Sequence, residues 1–63
     1  MITYLNLKTN HGTETVDQAD RNDFETTKAF RTHVRELRRE YSLAGMNVYS
    51  SSRSSKEWRN RQL

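Results

Sequence analysis

Apolar and polar residues alternate one for one at the start of the chain. Thr3, Leu5 and Leu7 fall on one side and Tyr4, Asn6 and Lys8 on the other, the period-two pattern of a half-buried strand. Asn10-His11-Gly12 reads as a turn, with Gly12 supplying a positive φ, and alternation resumes through Thr13–Asp17. A two-residue loop at His11-Gly12 pairs Leu7 with Val16 and Leu5 with Gln18, which puts Leu5, Leu7 and Val16 on one face. A three-residue loop pairs Asn6 with Val16 and splits that set. The even loop is therefore expected, because register follows the apolar face. The hairpin spans residues 2–19.

Asp17 to Asp23 is polar and reads as a connection. From there the period changes. Phe30, Val34, Leu37 and Tyr41 stand at i, i+4, i+7 and i+11, one stripe of an amphipathic helix, and Ala44 extends it. Asn22 and Asp23 are good N-cap residues, Asn22-x-x-Glu25 resembles a capping box, and Gly45 sits where a left-handed C-cap belongs. No proline interrupts the run. The pattern predicts a helix over 23–44. Met46, Val48 and Ser50 then alternate with Asn47, Tyr49 and Ser51, a third strand at 46–52. In the basic segment 53–63, Ser54-x-x-Glu57 repeats the capping pattern and predicts a short helical turn from Ser55 to Gln62, carrying Trp58.

The order strand, strand, helix, strand makes residues 1–63 a single small α+β domain. Strand 3 returns antiparallel beside strand 1, so the expected sheet order is 2-1-3. The long helix covers one face. Strands 2 and 3 are then edges open to another chain, and Tyr4 and Tyr49 form an aromatic pair on the uncovered face. Even with about twelve of the fifteen large apolar side chains buried, a chain this short needs further support. It has no cysteine, hence no disulfide, thiolate metal site or cysteine nucleophile. Either the fold is marginal, or a second copy or a partner buries additional apolar surface. No run of about 18 apolar residues suggests a membrane span, and no leader suggests secretion.

Charge is segregated. Residues 1–25 carry a net −3 and residues 26–63 a net +6, within an overall +3. At roughly 100° per residue, Lys28, Arg31, Arg35, Arg38 and Arg39 share one helix flank, and Glu25, Glu36 and Glu40 share another. Arg31, Arg35 and Arg39 are successive i+4 neighbours of like sign, an arrangement that costs a few tenths of a kcal/mol per pair. Something outside the row should compensate. Glu14, Asp17 and Asp20 of the hairpin are one source, an acidic patch on a protein partner a second, and nucleic-acid phosphates a third. Glu36 and Glu40 on the same helix, and the lack of a recognised base-reading motif, argue against nucleic acid.

Arg53, Lys56, Trp58 and Arg59 form a second candidate surface, with Tyr49 beside it; Trp58 either anchors an interface or folds back to finish the core. Enzymatic chemistry finds no footing. There is no glycine-rich phosphate loop, no enclosed pair of carboxylates, and no histidine at recognisable spacing from the serines near Arg53. His11 sits at a turn tip. His33, near Glu36 and Glu40, reads as a solvated salt link rather than a metal ligand. No catalytic residue, cofactor or metal site is expected.

Four stretches, Glu14-Thr-Val-Asp17, Phe24-x-Thr26, Glu40-Tyr-Ser-Leu-Ala44 and Tyr49-x-Ser51-x-Arg53-x-x-Lys56-x-Trp58, cover most of residues 13–58. In that order they resemble small uncharacterised proteins encoded by bacteriophages and prophages. Those proteins have no settled activity, so the resemblance implies a setting and no residue role: an accessory protein in the host bacterial cytoplasm that binds and modulates a host component, such as a defence or regulatory protein. Together these readings lead to a non-enzymatic protein that binds a host protein through Lys28, Arg31, Arg35, Arg38 and Arg39 together with Tyr49, Arg53, Lys56, Trp58 and Arg59. The alternatives are nucleic-acid binding through the same bases, and a structural homo-oligomer.

Overall fold

A computed structural model describes residues 1–61. Strands β1 (Ile2–Thr9), β2 (Gly12–Asp20) and β3 (Val48–Ser51) form one antiparallel sheet in the order β2-β1-β3. Helix α1 (Thr27–Leu43) lies on one face and helix α2 (Lys56–Arg61) follows β3. The architecture is α+β, with the strand order that the alternation predicts.

The hairpin reaches its apolar face by a different route from the one expected. Thr9 pairs with Gly12, so the loop is Asn10-His11 and not His11-Gly12. The positive φ falls on Gly12 (121°), and neither loop residue has one. The Thr9 hydroxyl donates to the Gly12 carbonyl at 3.0 Å and accepts from the His11 N–H at 3.2 Å, bracing the turn. Asn6 then pairs with Thr15 and Leu5 with Asp17, which leaves Val16 as the extra residue of a β-bulge. Val16 and Ala19 are three apart and cannot share a face of a regular strand. The bulge switches the parity between them. Ala19 pairs with Thr3 and is buried, while Gln18 pairs with Tyr4 on the opposite face.

Helix α1 starts later than its stripe suggests. Its N-cap is Thr26, whose hydroxyl accepts from the Ala29 N–H at 3.1 Å. Asn22 and Asp23 belong instead to a 3-10 turn, Arg21–Asp23, capped by Asp20, so the Asn22–Glu25 capping box does not form. The Arg21 guanidinium donates to the Phe24 carbonyl at 2.7 Å and to the Thr27 hydroxyl, and holds this connection. Phe24 is extended and packs edge-on against Phe30 and at a tilt against His33. At the other end Gly45 takes φ 84°. Its N–H donates to Ser42 and that of Met46 to Tyr41, the bond pair of a Schellman C-cap. Met46 is thereby drawn into the cap, and β3 begins at Val48 rather than at 46.

The core is thin. Leu5 (1% exposed), Ala19, Phe30 and Val48 are its buried apolar side chains among the described residues, far fewer than twelve. Val34, Leu37 and Tyr41 are half-buried, and Leu43 at the helix end is 80% exposed. The Cα extents are 36 × 30 × 14 Å, and the radius of gyration, 11.9 Å, exceeds the ~10.6 Å of a compact domain of this length. No helix among the described residues is long and apolar enough to cross a membrane.

The second sheet face is not bare. Residues 53–61 fold back over it through a buried polar cluster. Thr15 Oγ donates to Asn6 Oδ1 at 2.6 Å and accepts from the Ser55 N–H at 2.7 Å, while Asn6 Nδ2 donates to the Arg53 carbonyl at 2.9 Å. Ser55, not Ser54, caps α2, accepting from the Trp58 N–H at 3.3 Å. Trp58 is half-buried and its indole N–H donates to Gln18 Oε1 at 2.9 Å. Tyr4 is half-buried too, so the expected exposed pair with Tyr49 reduces to Tyr49 alone, 41% exposed. Gln62, the predicted end of this helical turn, lies outside the described residues.

Candidate functional site

The alternation of β1 decides which residues can meet. Leu5 and Leu7 point toward α1, and Asn6 points toward the segment that carries α2. Lys28, Arg31, Arg35, Arg38 and Arg39 are therefore gathered on the α1 side, all exposed. Arg53, Lys56, Trp58 and Arg59 lie across the sheet on the side of Asn6 and Thr15, and so does Tyr49, which pairs with Asn6. The single surface expected from sequence is two surfaces, divided by the thickness of the sheet.

On the α1 side the row borders three neighbouring cavities that together outline a groove. A cavity of about 330 Å³ lies between Lys28, Arg31 and Arg35 near the helix start. One of about 300 Å³ follows, with Arg31, Arg35 and Arg38 above Phe30, Val34, Thr3 and Ser50. A third, about 270 Å³, runs under Arg38 and Arg39 to Asn47 and Val48. Arg35 borders all three. The groove has a cationic rim, a partly apolar floor, and β3 as its far wall.

Among the described residues no carboxylate is paired with the row. Among the described residues the one ion pair joins the Met1 amino group to Asp20 at 3.6 Å. Two of the three hairpin carboxylates that were candidates to neutralise the row are engaged elsewhere, and Glu14 makes no ion pair among the described residues. Asp17 accepts from the Tyr41 hydroxyl at 2.9 Å and from the Gln18 N–H, and Asp20 caps the 3-10 turn. Burial, reinforced by the Asp17 hydrogen bond and the charges of Asp17 and Glu40, raises the Tyr41 phenol above its ordinary value.

His33 rests against the Phe24 ring at 4.9 Å and makes no ion pair among the described residues, so the salt link to Glu36 and Glu40 does not form. No group of three or more metal-ligating side chains comes together among the described residues. What the apolar pattern did not signal is the Asn6–Thr15–Ser55 cluster. Its one trace was an asparagine in mid-strand; Thr15 comes opposite it only in the observed register. No protein-family model, curated protein or solved structure matches the chain.

Proposed function

We propose that this is a non-enzymatic binding protein that captures an acidic surface of another protein through the basic flank of α1. One observation carries the reading: five cationic side chains stand in a row on one helix, three of them at mutually repulsive i+4 spacing, with no carboxylate of the described residues paired to them. Such a row gains most from an external anion, which also speeds encounter. The groove's floor of Phe30 and Val34 favours a polypeptide over a phosphate backbone, since it offers apolar side chains a place to rest. The resemblance to small phage and prophage proteins supplies the proposed setting, a bacterial host protein met in the host cytoplasm. Arg53, Lys56 and Arg59 belong to a separate patch on the other face, and Trp58 contributes there to packing.

The test is affinity capture from bacterial lysate, with and without nuclease, using the parent and a variant with Arg31, Arg35, Arg38 and Arg39 changed to Gln. Nuclease-resistant capture that the variant loses, while keeping its circular dichroism spectrum, supports the reading. Capture that disappears with nuclease transfers the flank to nucleic acid.

A further inference from the structure

Strand β3 is the sheet edge beside the basic flank. It pairs with β1 through Leu7–Val48, Asn6–Tyr49, Leu5–Ser50 and Tyr4–Ser51, and no strand of the described residues lies on its outer side. An edge of this kind presents backbone N–H and C=O groups to any chain laid along it. Its one protective device is its length of four residues: Val48-Tyr49-Ser50-Ser51 contains no proline and no charge, and its register has no bulge. Val48 and Ser50 share the face that α1 covers, and both border the groove whose rim is Arg31, Arg35 and Arg38. A strand added to β3 enters beside that rim.

We infer that the β3 edge accepts an extended acidic segment of the partner as a fourth strand, with carboxylates at alternate positions facing the arginine row. This rests on the proposed reading of the flank as a protein-binding surface and specifies what it binds. Alternate residues of a strand lie about 6.6–6.8 Å apart. Residues four apart on a helix rise about 6.0 Å. Three carboxylates alternating with β-forming residues thus keep step with Arg31, Arg35 and Arg39. Three consecutive carboxylates do not, because the middle one turns to the opposite sheet face. Main-chain bonds to β3 hold the segment, and the charges select it.

A second copy of this chain is the poorer occupant. Antiparallel pairing of β3 with β3 about a two-fold axis places both α1 helices on one face and sets arginine row against arginine row. Nucleic acid supplies anions but no strand to complete the edge.

The experiment titrates the ¹⁵N-labelled chain with three synthetic seven-residue peptides. The first alternates glutamate with valine and threonine. The second has the same composition with its glutamates consecutive. The third is the first with N-methyl groups on the backbone amides that face β3. The expected result is amide shifts at Tyr49 and Ser50 as well as along α1. The alternating peptide should bind at least tenfold tighter than the clustered one. N-methylation should weaken it at least tenfold, and Arg35→Gln severalfold. Equal affinities with shifts confined to α1 overturn strand addition and leave the flank as a general acidic-surface binder. No response to any peptide at millimolar concentration, with an oligonucleotide shifting the Arg31–Arg39 amides, overturns both readings. A dimer that pairs through β3 at those concentrations also overturns the inference.

Discussion

Replacing Thr15 by valine exchanges one buried hydroxyl for a methyl group at nearly constant volume. The hydroxyl makes one bond inside the sheet, donating to Asn6 Oδ1 at 2.6 Å, and one that holds residues 53–61 to it, accepting from the Ser55 N–H at 2.7 Å. Both Asn6 and Thr15 are buried, and every buried side-chain nitrogen or oxygen among the described residues has a partner. The valine strands a buried side-chain oxygen and a backbone N–H. Each of the two orphaned groups costs about 1–3 kcal/mol, and the added methyl returns about 0.8 kcal/mol, so a net loss of about 1–5 kcal/mol is expected. A chain of this length has a total stability of only about 3–9 kcal/mol. The substitution therefore removes a large share of it, or releases the C-terminal segment while the sheet persists.

Two measurements separate these outcomes. Urea unfolding followed by Trp58 fluorescence reports on the segment, since the indole is held to Gln18. Hydrogen exchange at the Ser55 amide reports on the bond itself. The control is Thr13→Val, an exposed position whose hydroxyl makes only a 3.5 Å contact with the Tyr49 hydroxyl; it should change stability by no more than about 0.5 kcal/mol. The reasoning is refuted if Thr15→Val matches that control and the Ser55 amide keeps its protection.

Three further predictions follow from single residues. Gly45→Ala forces a side chain into φ 84° at the α1 C-cap, with no atom within 4 Å to clash; the expected loss is purely conformational, about 1 kcal/mol by chemical denaturation. Tyr41 has a folded-state pKa raised above its unfolded value of 10.0, so its contribution is fully present below pH 10 and is lost as pH rises through the folded value; Tyr41→Phe should flatten the alkaline fall in melting temperature. Arg35→Glu replaces two like-charge i+4 contacts, with Arg31 and Arg39, by two favourable ones, each worth about 0.2–0.5 kcal/mol. It should raise the melting temperature at low salt by a few degrees while reducing capture of an acidic partner. A fall in melting temperature would show that the row is compensated in a way the ion-pair geometry does not reveal.

The elements that could be read from sequence were those in which an apolar period coincided with a terminating signal. The Phe30–Tyr41 stripe ended by Gly45 located α1, and alternation on both sides of Gly12 located the hairpin and the sheet order. The failures were local contests between equivalent polar residues. Asp20, Asn22, Asp23 and Thr26 are all competent caps, and the choice fell to Thr26 because Phe24 has to stay extended to reach Phe30. The bulge at Val16 was invisible because a regular strand places Leu5, Leu7 and Val16 on one face equally well; only the demand to bury Ala19 as well requires it. The separation of the two basic surfaces follows from the side on which residues 53–61 return. Hydrogen bonds between Asn6, Thr15 and Ser55 decide that, and polar residues at such sequence distances leave no periodic mark.

The flat shape and the charge row bear on each other. With four buried apolar side chains among the described residues, the fold has little stability in reserve, yet it keeps three arginines where each repels the next. Val34 and Leu37 are only half-covered on the same helix. An acidic strand laid along β3 would neutralise the row and cover part of that apolar surface together, so binding and folding become linked. The linkage is quantitative: a partner present at one hundred times its dissociation constant adds about 2.7 kcal/mol to the folded state. For a domain this small, that is comparable with the whole Asn6–Thr15–Ser55 cluster. On the proposed reading, the arginine row lowers the stability of the free protein and raises that of the complex, and the same side chains account for both.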